Sequence, residues 1–127
     1  MFLVSSNYIS MKQKPDPELT ARYADMLAAI GNDARLGIMR LLLSAYPEGM
    51  VVGDIQAEMG IPGSTLSHHL EKLRSEGLAD QRREGTFLWY SANARALQDL
   101  LTFLYAECCT RNKAVKPESI LKACKCS

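Results

Sequence analysis

Residues 52–78 read VGDIQAEMGIPGSTLSHHLEKLRSEGL, and this stretch decides the fold. Its first part is long enough for about two helical turns, and Gly60 ends that helix. Pro62 suits the first position of a second helix, because a missing N–H has no intrahelical partner to lose there. The second helix is predicted to run as far as Gly77, its C′ residue. Two short helices separated by a glycine-containing turn match the helix-turn-helix pattern.

The residues after this motif change from helical to strand periodicity. Residues 79–83 and 86–91 flank Glu84-Gly85, a tight turn in which glycine can take a positive φ. The second run contains Thr, Phe, Trp and Tyr, which favour strands. A helix-turn-helix followed directly by a hairpin predicts a winged helix, a fold that is mainly α with a small β-hairpin.

Further helices are predicted on both sides of this core. An apolar stripe at helical spacing begins at Leu19, and a second helix begins after Asn32 or Asp33 as its cap. A last helix begins at Asn93 and carries a long apolar face with few charges. The buried face of the second helix is expected to consist of Leu36, Met39, Leu42 and Leu43. The predicted organisation is a flexible N-terminal arm (1–17), a DNA-binding and dimerisation domain (18–110) and a flexible cysteine-containing tail (111–127).

Composition excludes several other classes of protein. The chain has 127 residues, 47% of them apolar, and a net charge of +1, which suits one globular domain. It has no apolar run near the roughly 18 residues of a membrane span, and no cationic start of a secretory signal. It also lacks a glycine-rich phosphate loop and a G-x-S-x-G nucleophile motif. We therefore expect a cytoplasmic protein that is not an enzyme.

The second helix of the motif carries the side chains that a DNA-reading helix needs. Leu66, Leu70 and Leu73 turn inward and leave hydroxyls, imidazoles and a cation exposed, where they can reach base edges in the major groove. Two arginines expected at the hairpin tip can meet the minor groove or the DNA backbone. The alternative is that the histidine pair and the arginines lie on a solvated surface without a role in binding. The predicted DNA-binding residues are Ser64, Thr65, Ser67, His68, His69, Lys72, Arg82 and Arg83.

Four cysteines lie in the last twenty residues, at Cys108, Cys109, Cys124 and Cys126. This clustering is unlike a secreted disulfide framework, which spreads its cysteines through the chain. Thiolates select soft or thiophilic ions, and the surrounding lysines favour the thiolate form. A tetrahedral zinc site, another soft metal, a thiol redox switch, and a buried Cys108 with an inert tail all remain open as alternatives.

Residues 61–78, with the pattern Ser-x-His-Leu followed by Leu-x-x-x-Gly-Leu, resemble the recognition helix of the ArsR/SmtB family of metal-responsive repressors. The strand that ends in Tyr90 is similar to the wing of that family. The resemblance covers roughly residues 19–109. It implies a homodimer built on the first and last helices, which binds double-stranded operator DNA until an inducer releases it.

The resemblance also suggests the inducer. Residues 49–54 contain no thiol, so the Cys-Val-Cys site of the founding arsenic sensors is absent from this sequence. The chain has no histidine besides 68 and 69, so the zinc site on the last helix is absent too. Cys108-Cys109 is similar to the adjacent cysteine pair of a subgroup of arsenite sensors. This similarity implies arsenite or antimonite held by three thiolates, the third from Cys124 or Cys126.

Overall fold

The computed structural model describes residues 16–106, which form five helices and three strands. The mainly α winged helix-turn-helix predicted from the sequence is confirmed. In chain order the elements are α1 (Pro17–Ile30), α2 (Asp33–Ser44), β1 (Met50–Val51), α3 (Val52–Met59), α4 (Gly63–Ser75), β2 (Ala79–Glu84), β3 (Phe87–Ala92) and α5 (Ala94–Tyr105).

Side-chain caps set the starts of three helices. The Asp16 carboxylate accepts a hydrogen bond from the Glu18 N–H at 3.0 Å, which starts α1. Of the two predicted caps of α2, Asn32 is the cap, and its side chain accepts from the Arg35 N–H at 3.0 Å. The Asn93 side chain accepts from the Ala96 N–H at 3.0 Å in the same way and starts α5, as predicted.

The helix-turn-helix consists of α3 and α4. Gly60 ends α3 with a φ of 66°, the left-handed conformation that glycine adopts without steric cost. The helix α4 begins at Gly63, so Pro62 is its N-cap, in an extended conformation, and not its first residue as predicted. Gly77 has a φ of 78°, and the Leu78 N–H donates to the Leu73 carbonyl at 2.9 Å. This bond closes α4 with a Schellman motif.

The wing is one part of a three-stranded antiparallel sheet with the order β1-β3-β2. Glu84 pairs with Phe87, so the turn is Gly85-Thr86, one residue later than predicted. The strand β1, in which Met50 pairs with Tyr90, was not predicted from the sequence. Two residues are too short for strand periodicity to show in a sequence.

The core of residues 16–97 forms where α2, α3, α4 and the sheet meet. The predicted inward residues Leu66, Leu70 and Leu73 are all buried. Leu36 was predicted to be buried but is 47% exposed, and Ile38 is fully buried instead. The inward face of α2 is rotated relative to the prediction because α3 packs closely on it. A Cβ at Gly37 would lie only 3.1 Å from the Met59 methyl carbon.

The C-terminal part of α5, from Gln98 onward, belongs to a separate compact unit. Leu100 is buried in this segment, whereas Leu101 is 41% exposed and Leu104 is 52% exposed. Among the described residues, no helix has the length and apolar character needed to cross a membrane.

Candidate DNA-binding surface

Helix α4 presents a polar face because three buried leucines fix its orientation. Leu66, Leu70 and Leu73 are spaced four and three residues apart and lie on the inward side. Ser64, Thr65, Ser67, His68 and Lys72 are all exposed, as predicted. The helix that carries these hydroxyl groups, the imidazole and the cation has a diameter that suits the major groove of B-DNA.

The charged residues of α4 are paired within the helix. The Lys72 ammonium lies 3.5 Å from a Glu76 carboxylate oxygen, an exposed contact that is weak and can be exchanged for a DNA phosphate. Arg74 Nε donates to a Glu71 carboxylate oxygen at 3.0 Å. That hydrogen bond lowers the pKa of Glu71, so its negative charge persists but is compensated by its neighbour. A carboxylate whose charge is compensated by a neighbouring cation repels DNA less than a carboxylate without such a neighbour.

His69 differs from His68 because it is half-buried and contacts α2. Its Nδ1 lies 3.2 Å from Nη1 of Arg35. An arginine side chain offers donors and no acceptor, so the imidazole nitrogen must accept the hydrogen bond. Burial, and then the charges of Arg35 and His68, lower the pKa of His69, which favours the neutral ring. His69 therefore links α4 to α2, and His68 remains the exposed histidine of the predicted pair.

The two wing arginines do not lie at the hairpin tip, contrary to the prediction. The strands continue to Glu84 and Phe87, which places the turn beyond both arginines. Arg82 Nε donates to Glu84 at 2.9 Å, and Arg82 Nη1 donates to the Glu48 carbonyl at 2.8 Å. Its guanidinium carbon also lies 4.7 Å from the centroid of the Trp89 ring. These contacts hold Arg82 against the protein, whereas Arg83 is exposed and pairs across the strands with Leu88.

A cavity of about 300 Å³ opens between α4, the start of α3 and the wing. Ser67 and Leu70 line it from α4, and Thr86, Phe87 and Leu88 line it from the wing. Phe87 is 60% exposed, the highest fraction among the large apolar side chains described as exposed. Phe87 is not among the residues predicted to bind DNA, because an aromatic side chain in a strand-forming run normally indicates a core position.

The predicted cysteine site lies outside the described residues. Between residues 16 and 106, no three histidine, cysteine or carboxylate side chains come together in a way that could hold a metal ion.

Comparison with known proteins agrees with this geometry. A family model described as a helix-turn-helix domain matches residues 30–82. The transcriptional activator HlyU of Vibrio cholerae has a solved structure with a TM-score of 0.58 and 31% sequence identity; the match covers 72% of this chain and 99% of that one. A homodimeric winged helix-turn-helix DNA-binding domain from Mycobacterium bovis, described as a possible ArsR-family transcriptional regulator, has a TM-score of 0.56 and 32% identity, covering 71% of this chain and 83% of that one.

One curated relative carries a more specific name. A protein of Halobacterium salinarum, named as a repressor of an arsenical resistance operon, is 33% identical over 75 residues. The match covers 59% of this chain and 62% of that protein, which is less than two thirds of its length.

Proposed function

The chain belongs to the ArsR family of winged helix-turn-helix transcriptional regulators, and from this premise we propose that it is a homodimeric repressor. It binds operator DNA through α4 and the wing, and trivalent arsenic or antimony bound to its C-terminal cysteines releases it. The exposed polar face of α4, held in place by buried leucines, is the observation that carries the DNA-binding part.

The residues proposed to bind DNA fall into two groups. Ser64, Thr65, Ser67, His68 and Lys72 are exposed on α4, and Arg83 is exposed on the wing, so each can reach DNA directly. His69 and Arg82 are held by contacts within the chain. We assign these two residues the role of positioning α4 and the wing.

Exposed leucines support the proposed dimer. Leu19 and Leu27 on α1 are 40% and 43% exposed, and Leu101 and Leu104 on α5 are 41% and 52% exposed. Apolar side chains that recur on one helix face are stabilised when a second copy covers them. The homodimeric state of the Mycobacterium bovis relative supports the same assignment. A chain with a net charge of only +1 is attracted weakly to DNA phosphates. In a dimer, two recognition helices contribute to binding and offset this weak attraction.

The inducer part rests on the sequence of the C-terminal region. In the sequence, Cys108 and Cys109 come three and four residues after the end of α5, and Cys124 or Cys126 would supply a third thiolate. Three thiolates suit a trivalent thiophilic centre, and oxygen-preferring ions such as magnesium bind poorly to sulfur. The name of the Halobacterium salinarum relative supports this inducer class.

The proposed mechanism couples the cysteines to α4 through the dimer. An inducer can release DNA only if it binds one dimer conformation better than the other. The two recognition helices must lie about 34 Å apart to enter successive major grooves. Bringing the C-terminal residues onto Cys108 and Cys109 would move the two copies of α5 relative to each other, and this movement would change the spacing of the recognition helices.

The DNA-binding part is tested with duplexes selected from a random pool by the protein itself. We expect tight binding that weakens steeply as salt is added, because counterions return to the phosphates. Binding that is indifferent to salt, or no enrichment of any duplex, would contradict the DNA-binding part of the proposal.

The inducer part is tested with a variant that carries both Cys108→Ser and Cys109→Ser. It should bind the selected duplex as the unchanged protein does, and arsenite should no longer release it. A Cys124→Ser, Cys126→Ser double variant tests whether the distal cysteines supply the third thiolate. Release of the first variant by arsenite would contradict the proposal, and release by zinc or an oxidant alone would favour the alternative inducers.

A further inference from the structure

The cavity between α4 and the wing is a feature that DNA binding by these two elements can explain. On B-DNA a single sugar–phosphate strand separates each major groove from the neighbouring minor groove. A helix in the major groove and a wing in the minor groove must therefore lie on either side of one strand. On the basis of the proposed DNA binding, we propose that this strand lies in the cavity, with Phe87 packed against a deoxyribose and the Thr86 hydroxyl donating a hydrogen bond to a phosphate.

The side chains around the cavity match the two parts of such a strand. Ser67 on α4 and Thr86 in the wing turn both line the cavity, and both residues are exposed. Serine and threonine hydroxyls are common donors to phosphate oxygens. The remaining lining is mostly apolar and includes Leu70, Leu88 and the exposed ring of Phe87. An apolar wall suits the carbon-bound hydrogens of deoxyribose, which carry no charge.

Charge around the cavity is also compatible with a phosphate. Among the described residues that line it, none carries a carboxylate. Glu84 pairs with Phe87 across the strands, and its carboxylate accepts a hydrogen bond from Arg82 at 2.9 Å. Arg82 thus compensates the one carboxylate that flanks the wing turn. The wing reaches DNA with a hydroxyl and an aromatic ring next to its turn, and with Arg83 farther along the strand.

The proposal predicts a loss of affinity that does not depend on DNA sequence. Binding is measured on the selected duplex and on a random-sequence duplex, for Phe87→Ala, Thr86→Val, Phe87→Leu and the unchanged protein. Phe87→Ala and Thr86→Val should each weaken binding about three- to tenfold on both duplexes. The salt dependence should keep its slope, because neither change removes a charge. Phe87→Leu keeps an apolar wall and should restore most of the affinity.

Tyr46→Ala is the matched control, because Tyr46 is also an exposed aromatic residue, 55% exposed, and lies outside the cavity. It should bind both duplexes unchanged. Thermal melting checks that each variant is folded, which we expect for such exposed positions. Unchanged binding by Phe87→Ala and Thr86→Val, or a loss confined to the selected duplex, would overturn the inference. Failure of the unchanged protein to bind any duplex would instead overturn the proposed function.

Discussion

His68 and His69 are adjacent in the sequence but differ in what they contact. His68 is exposed on the face of α4 that we assign to DNA. His69 is half-buried and accepts a hydrogen bond from Arg35 on α2. Neighbouring positions on a helix point about 100° apart, so one of two adjacent residues often faces a packed neighbour. The sequence indicated that histidines belong to the surface, and only the packing of α2 distinguishes their roles.

The lowered pKa of His69 predicts a pH dependence of stability. The unfolded chain takes up a proton at the ordinary pKa of 6.5, and the folded chain takes it up only at a lower pH. The stability contributed by the neutral ring is therefore complete above pH 6.5 and falls as the pH drops below that value. Urea unfolding at several pH values should show a weaker dependence for His69→Gln than for the unchanged protein. His68→Gln is the control and should retain most of the dependence; equal dependence in all three proteins would contradict the prediction.

The two wing arginines should respond differently to loss of charge. Arg82→Met removes two hydrogen bonds and a contact with Trp89, so we expect the free energy of unfolding to fall by about 1 kcal/mol. Arg83→Met should change stability by less than about 0.5 kcal/mol. It should instead weaken DNA binding and reduce the salt slope by about 1, as expected for one phosphate contact. Chemical denaturation and salt titration measure the two effects, and the reverse pattern would contradict these assignments.

At the scale of elements, the wing depends on a strand that the sequence does not reveal. The strand β1 has only two residues and pairs with the middle of β3 through Met50 and Val51. Gly49 precedes it with a φ of 89°, and the Tyr90 carbonyl is so close that a Cβ at Gly49 would lie 2.1 Å from its oxygen. Because these two backbones approach so closely, β1 can pair with β3 as the third strand of the sheet.

Gly49→Ala should therefore destabilise the protein by about 2 kcal/mol or more, since both the positive φ and the close carbonyl oppose a side chain. Gly53→Ala is the control, because a Cβ at this position in α3 meets nothing within 4 Å. It should be neutral or stabilising by up to about 1 kcal/mol, as expected for alanine in a helix. Thermal or urea unfolding measures both, and a tolerated Gly49→Ala would show that β1 can move away from β3.

At the scale of the whole molecule, the proposed regulation depends on the proposed dimer. Leu101 and Leu104 lie three residues apart on α5 and are both exposed. One recognition helix per molecule would give weak binding for a chain with a net charge of +1. The proposed inducer effect also requires two copies, because the spacing between recognition helices has no meaning in a monomer.

A double change of Leu101→Ser and Leu104→Ser should shift the protein toward monomers. Light scattering should then approach the 14.1 kDa of one chain, and binding to the selected duplex should fall at least about tenfold because one half-site is lost. Leu36→Ser is the control, since Leu36 is 47% exposed but lies on α2. It should leave the mass unchanged. A double variant that remains dimeric would place the interface elsewhere.

The sequence by itself determined the order of helices, the helix-turn-helix and the wing, because buried leucines, caps and left-handed glycines act over a few residues. Gly60, Gly77 and the leucines of α4 carry that information locally. The tertiary structure decided which side chains of the proposed DNA-binding surface are exposed: it ties His69 to α2 and Arg82 to Glu48, and it exposes Phe87 beside a cavity. These outcomes depend on contacts between residues distant in the chain, and no local pattern encodes such contacts.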